Sequence, residues 1–347
     1  MLDERKIRVL CAIIDSYIRV AEPIGSRTLS KEYDLGVSSA TIRNEMSDLE
    51  NLGYLNKPYT SSGRVPSDKA YRFYVNKIIN AEEIRMDIEK KEEIKKILTR
   101  ESREIDQLIQ NSAKILSAIT SYTALAISPQ IKKIRLKHIQ LVPLYDKEIL
   151  VILVGDSGIV NNTMLRMDKS ISSDQLNQIS NFLNKKLKEF TIDGLEDLIK
   201  DDIFKDMYKF KETIDSVIPI ISKLLEDIND IEVYADGVTK IFDFPEYRDT
   251  DKAKSFISFI EDKEQLINVL LNDPLNNGIE ITIGDENIYD TIKDCSLITT
   301  TYKLGDMTIG KIGVIGPTRM DYLMVMNSLK LFSSNLTEIF DMLLSQW

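Results

Sequence analysis

Apolar positions in the first part of the chain recur at the 3.6-residue period of an α-helix, in segments separated by turn residues. The first segment ends before Pro23 and Gly25, and its apolar stripe consists of Ile7, Leu10, Ile14 and Ile18. Ser26 is the predicted N-cap of a short second helix, and the glycine-containing segment 34–37 supplies a turn after it. A short helix, a turn and a longer third helix are typical of a helix-turn-helix.

The third helix is predicted to begin at Ser38 or Ser39, either of which can cap it, and to end before Gly53. The side chains expected to pack on the first two helices are Ile42, Met46, Leu49 and Leu52. The opposite face starts at a small residue and consists of Ala40, Arg43, Asn44 and Ser47. A guanidinium and an amide suit guanine and adenine edges in a DNA major groove. On an isolated helix, the same residues could equally form an ordinary solvated face.

A predicted β-hairpin follows this helix. Residues 54–57 and 64–65 have strand character, residues 60–63 form a polar turn, and Pro66 is expected to stop the second strand. Ser67 then caps a fourth helix, whose tyrosines should pack beneath the hairpin. A hairpin directly after such a helix is a wing, and Arg64 beside its tip could reach a phosphate or a narrow minor groove. The predicted DNA-contacting residues are Ser38, Ser39, Thr41, Arg43, Asn44, Ser47, Lys57, Thr60, Ser61, Ser62, Gly63 and Arg64.

The distribution of charge supports this location. The chain of 347 residues has 45 Lys and Arg against 55 Asp and Glu, for a net charge of −10. The first 80 residues alone have 12 basic and 10 acidic side chains, so the remainder has a net charge of −12. Phosphate binding depends on local cations rather than on the total charge. The N-terminal region is therefore the predicted nucleic-acid contact.

Composition also restricts the class of protein. No apolar stretch approaches the ~18–20 residues needed to span a bilayer, and the N-terminus is too charged for a signal peptide. Two cysteines far apart and one histidine form neither a disulfide framework nor a zinc motif. We therefore expect a cytoplasmic protein with no membrane partner and no metal or other cofactor.

Two alternatives remain open for the segment after the wing. Residues 82–104 hold 15 charged side chains, and an interrupted heptad rhythm of isoleucines and leucines runs on to Ile119. One interpretation is a long linker helix that packs against its own domain. The other is a helix that pairs across a dimer.

From Tyr122 onward the pattern changes to strands, which are predicted at 122–128, 134–144, 148–154 and 158–166. Helical spacing returns over 172–230, a short strand follows at 231–235, and helices continue to about Asn272. Strands resume at 279–283, 296–303 and 307–315, before a final amphipathic helix over about 319–344. A sheet interrupted by mainly helical residues and then resumed indicates an inserted domain.

A search for catalytic chemistry finds no convincing constellation. Residues 155–158 lack the strand and helix context of a dinucleotide site and are predicted to be a hairpin turn. Residues 316–319 precede a helix and could hold an anion on backbone amides or simply form a capped helix start. His138 has no evident nucleophile beside it, and Cys295 is expected at a strand end rather than as a reactive thiol. The prediction is that the chain is not an enzyme.

Four segments also carry a family resemblance. Residues 22–29 (EPIGSRTL), 38–46 (SSATIRNEM), 62–67 (SGRVPS) and 313–322 (GVIGPTRMDY) resemble the signature segments of the bacterial heat-inducible transcription repressors, the HrcA family. The resemblance covers essentially the whole chain. It implies a homodimeric repressor that binds an inverted-repeat operator upstream of chaperone operons, with its active form maintained by the GroE chaperonin. It also implies a winged helix, a GAF-like domain and a dimerising insertion.

The combined fold prediction is a multi-domain α+β protein. The predicted parts are a winged-helix DNA-binding domain at 1–80, a linker helix at 81–120, a GAF-like antiparallel sheet domain at 121–170 and 276–347, and a mainly helical inserted dimerising domain at 171–275. An alternative function is a ligand-sensing regulator whose GAF-like domain binds a small metabolite. A third, an acidic enzyme with a winged-helix interaction module, would need a convergent polar cluster.

Overall fold

The computed structural model describes residues 2–58, 63–81, 88–102, 104–129, 136–145, 147–155, 160–167, 170–187, 231–271 and 278–345. The chain forms two compact units. The first comprises residues 1–127, 233–303 and 310–336, and the second comprises residues 128–232, 304–309 and 337–347.

The first unit begins with an N-terminal module, defined here as residues 2–81. Its helices are α1 (Glu4–Val20), α2 (Ser26–Glu32), α3 (Ser39–Asn51) and α4 (Asp68–Ala81). Between α3 and α4, strands β1 (Leu55–Asn56) and β2 (Val65–Pro66) pair antiparallel. The core of the module is formed by completely buried side chains, among them Leu10, Ile13, Leu29, Ile42 and Leu49. The predicted order of elements is confirmed.

Local details of the module differ from the predictions at three places. Gly25 rather than Ser26 precedes α2 as its N-cap residue, and Ser26 is already helical. Pro66 lies within β2 instead of ending the strand before it, which an edge position permits because proline's missing N–H is not needed there. Leu52 is 48 % exposed because it is the C-cap residue of α3, beyond the last turn that packs inward.

The predicted single linker helix is replaced by two helices. Helix α5 (Ile88–Glu101) and helix α6 (Ile105–Thr120) are separate and pack on each other. Ile94, Leu98 and Leu108 of the predicted stripe are buried, whereas Ile119 is 47 % exposed. Helix α6 also packs on a central sheet of the same unit. These contacts agree with the interpretation that the segment packs within its own domain.

That sheet has five antiparallel strands. In chain order its strands are β3 (Thr123–Ile127), β7 (Val233–Asp236), β8 (Ile279–Ile283), β9 (Cys295–Leu304) and β10 (Met307–Pro317), and their spatial order is β7-β3-β10-β9-β8. Helices α8 (Thr250–Glu261) and α9 (Lys263–Leu271) lie between β7 and β8 in the chain, and α10 (Tyr322–Ser345) follows β10. The part of the first unit that follows α5, which contains this sheet with α6, α8, α9 and the start of α10 and the segments that connect them, is called the sheet domain below.

The second unit contains another antiparallel sheet, formed by β4 (Leu136–Pro143), β5 (Glu148–Gly155) and β6 (Val160–Arg166) in that order. Helix α7 (Ser173–Leu187) packs on β4. The Asn184 side chain accepts from the Ile139 N–H and donates to the Ile139 carbonyl, both at 2.7 Å, which covers the backbone of this edge strand.

These two sheets correct the predicted division of the chain. The strands at 136–166 pair with one another and not with β3 or β10, so the interruption of the central sheet begins after Ile127 rather than at residue 171. It ends at Val233 rather than at residue 275, because β7 returns to pair with β3. Alternating hydrophobicity identifies strands but does not identify their partners. The predicted helical spacing over 188–230 lies outside the described residues.

No helix in the described part of the chain is long and apolar enough to cross a membrane.

Candidate nucleic-acid interface

Helix α3 starts at a defined cap. The Ser38 hydroxyl accepts a hydrogen bond from the Thr41 N–H at 3.2 Å, which satisfies one of the backbone donors that the first turn leaves unpaired. Of the two predicted caps, Ser38 is therefore the one used. The Thr41 hydroxyl lies 3.1 Å from the Ser38 hydroxyl, and Ser39 is half-buried as the first helical residue.

The two faces of α3 divide as predicted over most of its length. Ile42, Met46 and Leu49 are buried at 4 % exposure or less. On the opposite face, Arg43, Asn44 and Ser47 are exposed, and Ala40 at its start is exposed as well. This face therefore presents a guanidinium, an amide and a hydroxyl on a single helix, the groups that can read base edges in a major groove.

A charged contact fixes α3 to the first helix. Glu45, only 4 % exposed, accepts from the Arg5 Nε at 2.6 Å, and the Lys6 Nζ lies 2.9 Å from its other oxygen. Lys6 also reaches Asp48 at 3.2 Å. Hydrogen bonds from Lys6 to Glu45 and Asp48 hold the pKa of this lysine above its ordinary value. This network is not predicted from the sequence, because Glu45 lies on an otherwise apolar inner face.

The segment before α2 pairs with the second strand side of the hairpin through a β-bridge between Ile24 and Arg64. The Ile24 N–H donates to the Arg64 carbonyl and the Arg64 N–H donates to the Ile24 carbonyl, both at 2.9 Å. Gly63 lies against the same segment, and a Cβ atom there would come within 2.4 Å of the Ile24 carbonyl oxygen. Gly63 is thus required by close backbone packing. Thr60, Ser61 and Ser62 lie outside the described residues.

Arg64 occupies a different environment from the one its sequence position suggests. Its Nη2 and Nε lie 2.6 Å and 2.8 Å from the same Glu50 oxygen at the end of α3, and its side chain is 19 % exposed. This ion pair joins the wing to α3. Lys57, by contrast, is exposed just after β1. The predicted phosphate contact of Arg64 stays a prediction, and its guanidinium already has an intramolecular partner.

The other positions considered for chemistry form local contacts, and some of them are buried. Asp321 caps α10 by accepting from the Met324 N–H at 3.0 Å, which favours the capped-helix interpretation of residues 316–319. Cys295 is buried and lies 2.9 Å from the Tyr247 hydroxyl, and burial raises its pKa to about 12. His138 is exposed on β4 and contacts Gln140. No cluster of three or more potential metal ligands occurs among the residues described.

Comparison with known proteins places this arrangement in a family. The family model described as HrcA protein C terminal domain matches residues 106–326. A heat-inducible transcription repressor HrcA of Alkaliphilus metalliredigens (strain QYMF) is 45 % identical over 338 residues, covering 97 % of this chain and 98 % of that protein. The chain belongs to the HrcA family of heat-inducible transcription repressors.

A second HrcA repressor, of Ruminiclostridium cellulolyticum, is 43 % identical and covers 97 % of both chains. A crystal structure described as that of a hypothetical protein at 2.2 Å resolution matches with a TM-score of 0.71 and 19 % identity, over 99 % of this chain and all of that one. That likeness supports the fold alone. The HrcA family is a class of transcription repressors and not a class of enzymes.

Proposed function

We propose that the chain represses transcription by binding an inverted-repeat operator of chaperone operons as a homodimer. The observation that carries this proposal is the outer face of α3. Its polar side chains are exposed while the inner face of the same helix is buried and ion-paired to α1. The helix is therefore rigidly held, with its hydrogen-bonding groups directed at solvent.

The proposed mode of binding places α3 in the major groove, as the recognition helix of a winged helix-turn-helix. Arg43 and Asn44 contact base edges, and Ser38, Ser39, Thr41 and Ser47 contact bases or nearby phosphates. Lys57 and the wing residues Thr60, Ser61 and Ser62 hold the DNA backbone. Gly63 and Arg64 act mainly through the shape of the wing, since Gly63 packs on Ile24 and Arg64 pairs with Glu50.

The experiment that tests this function is selection of duplexes from a random library by the purified full chain. We expect an inverted repeat to be enriched, with half-sites separated by about one helical turn or a multiple of it. Two chains should bind each selected duplex in a light-scattering measurement. Enrichment of no sequence, or binding to single strands alone, would contradict the proposal.

We also propose that the homodimer forms through the inserted region. The support is the open face of the three-stranded sheet, where Val160 and Met164 of β6 are 58 % and 68 % exposed and Met164 lies opposite Leu150 of β5. Met164→Asp should shift the sedimentation coefficient toward the monomer. Asn162→Asp, on the same strand and face, adds the same charge at a position that is already polar. Equal dimerisation of both variants would argue against this face.

The proposed regulation follows from the family resemblance: the GroE chaperonin maintains the active repressor. A dimer of marginal stability can lose much of its folded population on modest warming. Operator occupancy after heating should therefore recover with added chaperonin and ATP, and should recover less when an unfolded competitor protein is present. Occupancy that is the same with and without chaperonin would contradict this part of the proposal.

A further inference from the structure

An arginine from the C-terminal signature segment contacts the N-terminal module. The Arg319 side chain is 9 % exposed, and its Nε donates to Glu246. Its Nη1 donates to the Ile18 carbonyl at 3.0 Å, and its guanidinium lies 5.2 Å from the centre of the Phe244 ring. The Ile18 carbonyl belongs to the last turn of α1, where carbonyls lack helical partners and positive charge is favourable. Arg319 thus caps a helix of the N-terminal module from the sheet domain.

A second contact joins the start of α4 to the same domain. The Arg72 Nε donates to Glu286 at 2.7 Å, and its Nη2 donates to the carbonyl of Ile281 in β8 at 2.7 Å. Glu286 is itself held in place, because it accepts from the Ile283 N–H at 2.9 Å. The guanidinium therefore binds both a fixed carboxylate and a strand carbonyl.

The Asp68 side chain, at the start of α4, packs closely on the backbone of residues 284–285. The Asp68 carboxylate accepts from the Asp285 N–H at 3.1 Å. Gly284 has φ of +56°, and a Cβ atom there would lie 1.7 Å from the Asp68 carboxylate. The buried ring of Tyr71, the residue before Arg72, packs on the buried ring of Tyr322 with their centres 6.0 Å apart. Arg319, Arg72, Asp68 and their partners are called the docking seam.

The geometry points to a positioning role for this docking seam, and we propose that it fixes the orientation of α3 relative to the sheet domain. Arg319 and Arg72 are then positioning residues for operator recognition, although neither touches DNA. Separation of the module would break the hydrogen bonds that Arg72 and Arg319 make across the docking seam and would expose buried tyrosine rings, so it is unfavourable. The inference rests on the proposed DNA-binding function.

The consequence concerns half-site spacing. A dimer whose two modules are fixed can place both recognition helices only on half-sites of matching separation. Modules that move freely would tolerate several separations, but each would have a lower effective concentration at the second half-site. The docking seam therefore predicts strict spacing together with strong binding of the complete operator.

The first test uses Arg319→Gln, Arg72→Gln and Gly284→Ala, with Lys252→Gln as the control. Lys252 pairs with Asp294 at 2.9 Å within the sheet domain, so its loss removes an ion pair outside the docking seam. We expect the three seam variants to bind the complete operator about ten- to a hundredfold more weakly, by loss of effective concentration, and to bind a single half-site as the unchanged protein does.

The same variants should lose discrimination between operators whose half-sites are moved apart or together by single base pairs. The control should keep both its affinity and its spacing preference. Unchanged spacing preference in all three seam variants, or tighter operator binding, would overturn the inference. Arg319→Lys tests the fork geometry, since lysine keeps the charge but cannot bind Glu246 and the Ile18 carbonyl in the same planar arrangement.

The second test needs no DNA. Spin labels at Asn51 of α3 and Thr291 of the sheet domain, both exposed, are introduced in a Cys11→Ser background. Double electron–electron resonance should give one narrow distribution of label-to-label distances for the parent chain and a broader one for the Arg319→Gln and Gly284→Ala variants. Equal widths would overturn the inference. Failure of the parent chain to bind any duplex would instead count against the proposed function, and this measurement would still decide on the docking seam.

Discussion

The sequence predicts DNA contacts from both α3 and the wing, but their arginines have different surroundings in the structure. Arg43 of α3 is exposed, whereas Arg64 of the wing is mostly buried and paired with Glu50. Helical periodicity decides which face of α3 is free, because the apolar positions on the other face fix its rotation. Nothing equivalent applies to the wing, since its short strands carry no comparable apolar stripe. Arg43 is therefore accessible as it stands, whereas Arg64 would have to leave Glu50 before it could bind a phosphate.

The largest effect is expected on the free energy of unfolding, where substitutions on the two faces of α3 should differ. Leu49 is completely buried, so Leu49→Ala should lower the free energy of unfolding by about 2–5 kcal/mol through lost burial and a cavity. Ser47→Ala on the outer face should change it by less than about 0.5 kcal/mol. Urea-induced unfolding followed by circular dichroism compares the two variants. Equal midpoints would show that the two faces of α3 are not distinguished as described.

A smaller effect tests the wing. If Arg64 acts through Glu50, Arg64→Ala should weaken operator binding by about 1 kcal/mol through a displaced wing and leave the salt dependence unchanged. Lys57→Ala is the matched comparison, because an exposed lysine that contacts a phosphate should reduce the slope of log K against log[salt] by about 0.9. A reduced slope for Arg64→Ala would show instead that Arg64 leaves Glu50 and binds the phosphate directly.

The smallest effect concerns the reactivity of two cysteines, one in the N-terminal module and one in the sheet domain. Cys11 in α1 is partly exposed, whereas burial of Cys295 in β9 raises its pKa to about 12. Burial raises the pKa of the Cys11 thiol as well, but Cys295 is only 1 % exposed, so only Cys11 should react with an alkylating reagent at pH 8 in the folded chain. When the chain is heated stepwise, peptide mapping of the alkylated cysteines shows which region unfolds first. Labelling of Cys295 as fast as Cys11 at room temperature would contradict the described burial.

The sequence predicted the helices and the hairpin of the N-terminal module well, because caps such as Ser38 and apolar spacing such as Ile42 to Leu49 are local signals. It could not predict the Arg5–Glu45 and Arg64–Glu50 pairs, which depend on how separate elements meet in space. The same holds for the sheets. The alternation of apolar and polar residues predicts the strands at 136–166. It does not show that these strands pair with one another rather than with β3. The sequence places Arg319 before a helix, but only the structure shows its contact with the Ile18 carbonyl.

The outer face of α3 is proposed to read bases, and base discrimination by Arg43→Ala tests this proposal. Affinities for the selected operator and for every single-base variant of it are determined for the unchanged chain and for Arg43→Ala, with Arg248→Ala, an exposed arginine of the sheet domain, as the control. We expect Arg43→Ala to lose about 1–3 kcal/mol of discrimination at one base pair in each half-site and to keep it elsewhere. Uniform weakening with every base preference intact, or no change at all, would contradict it.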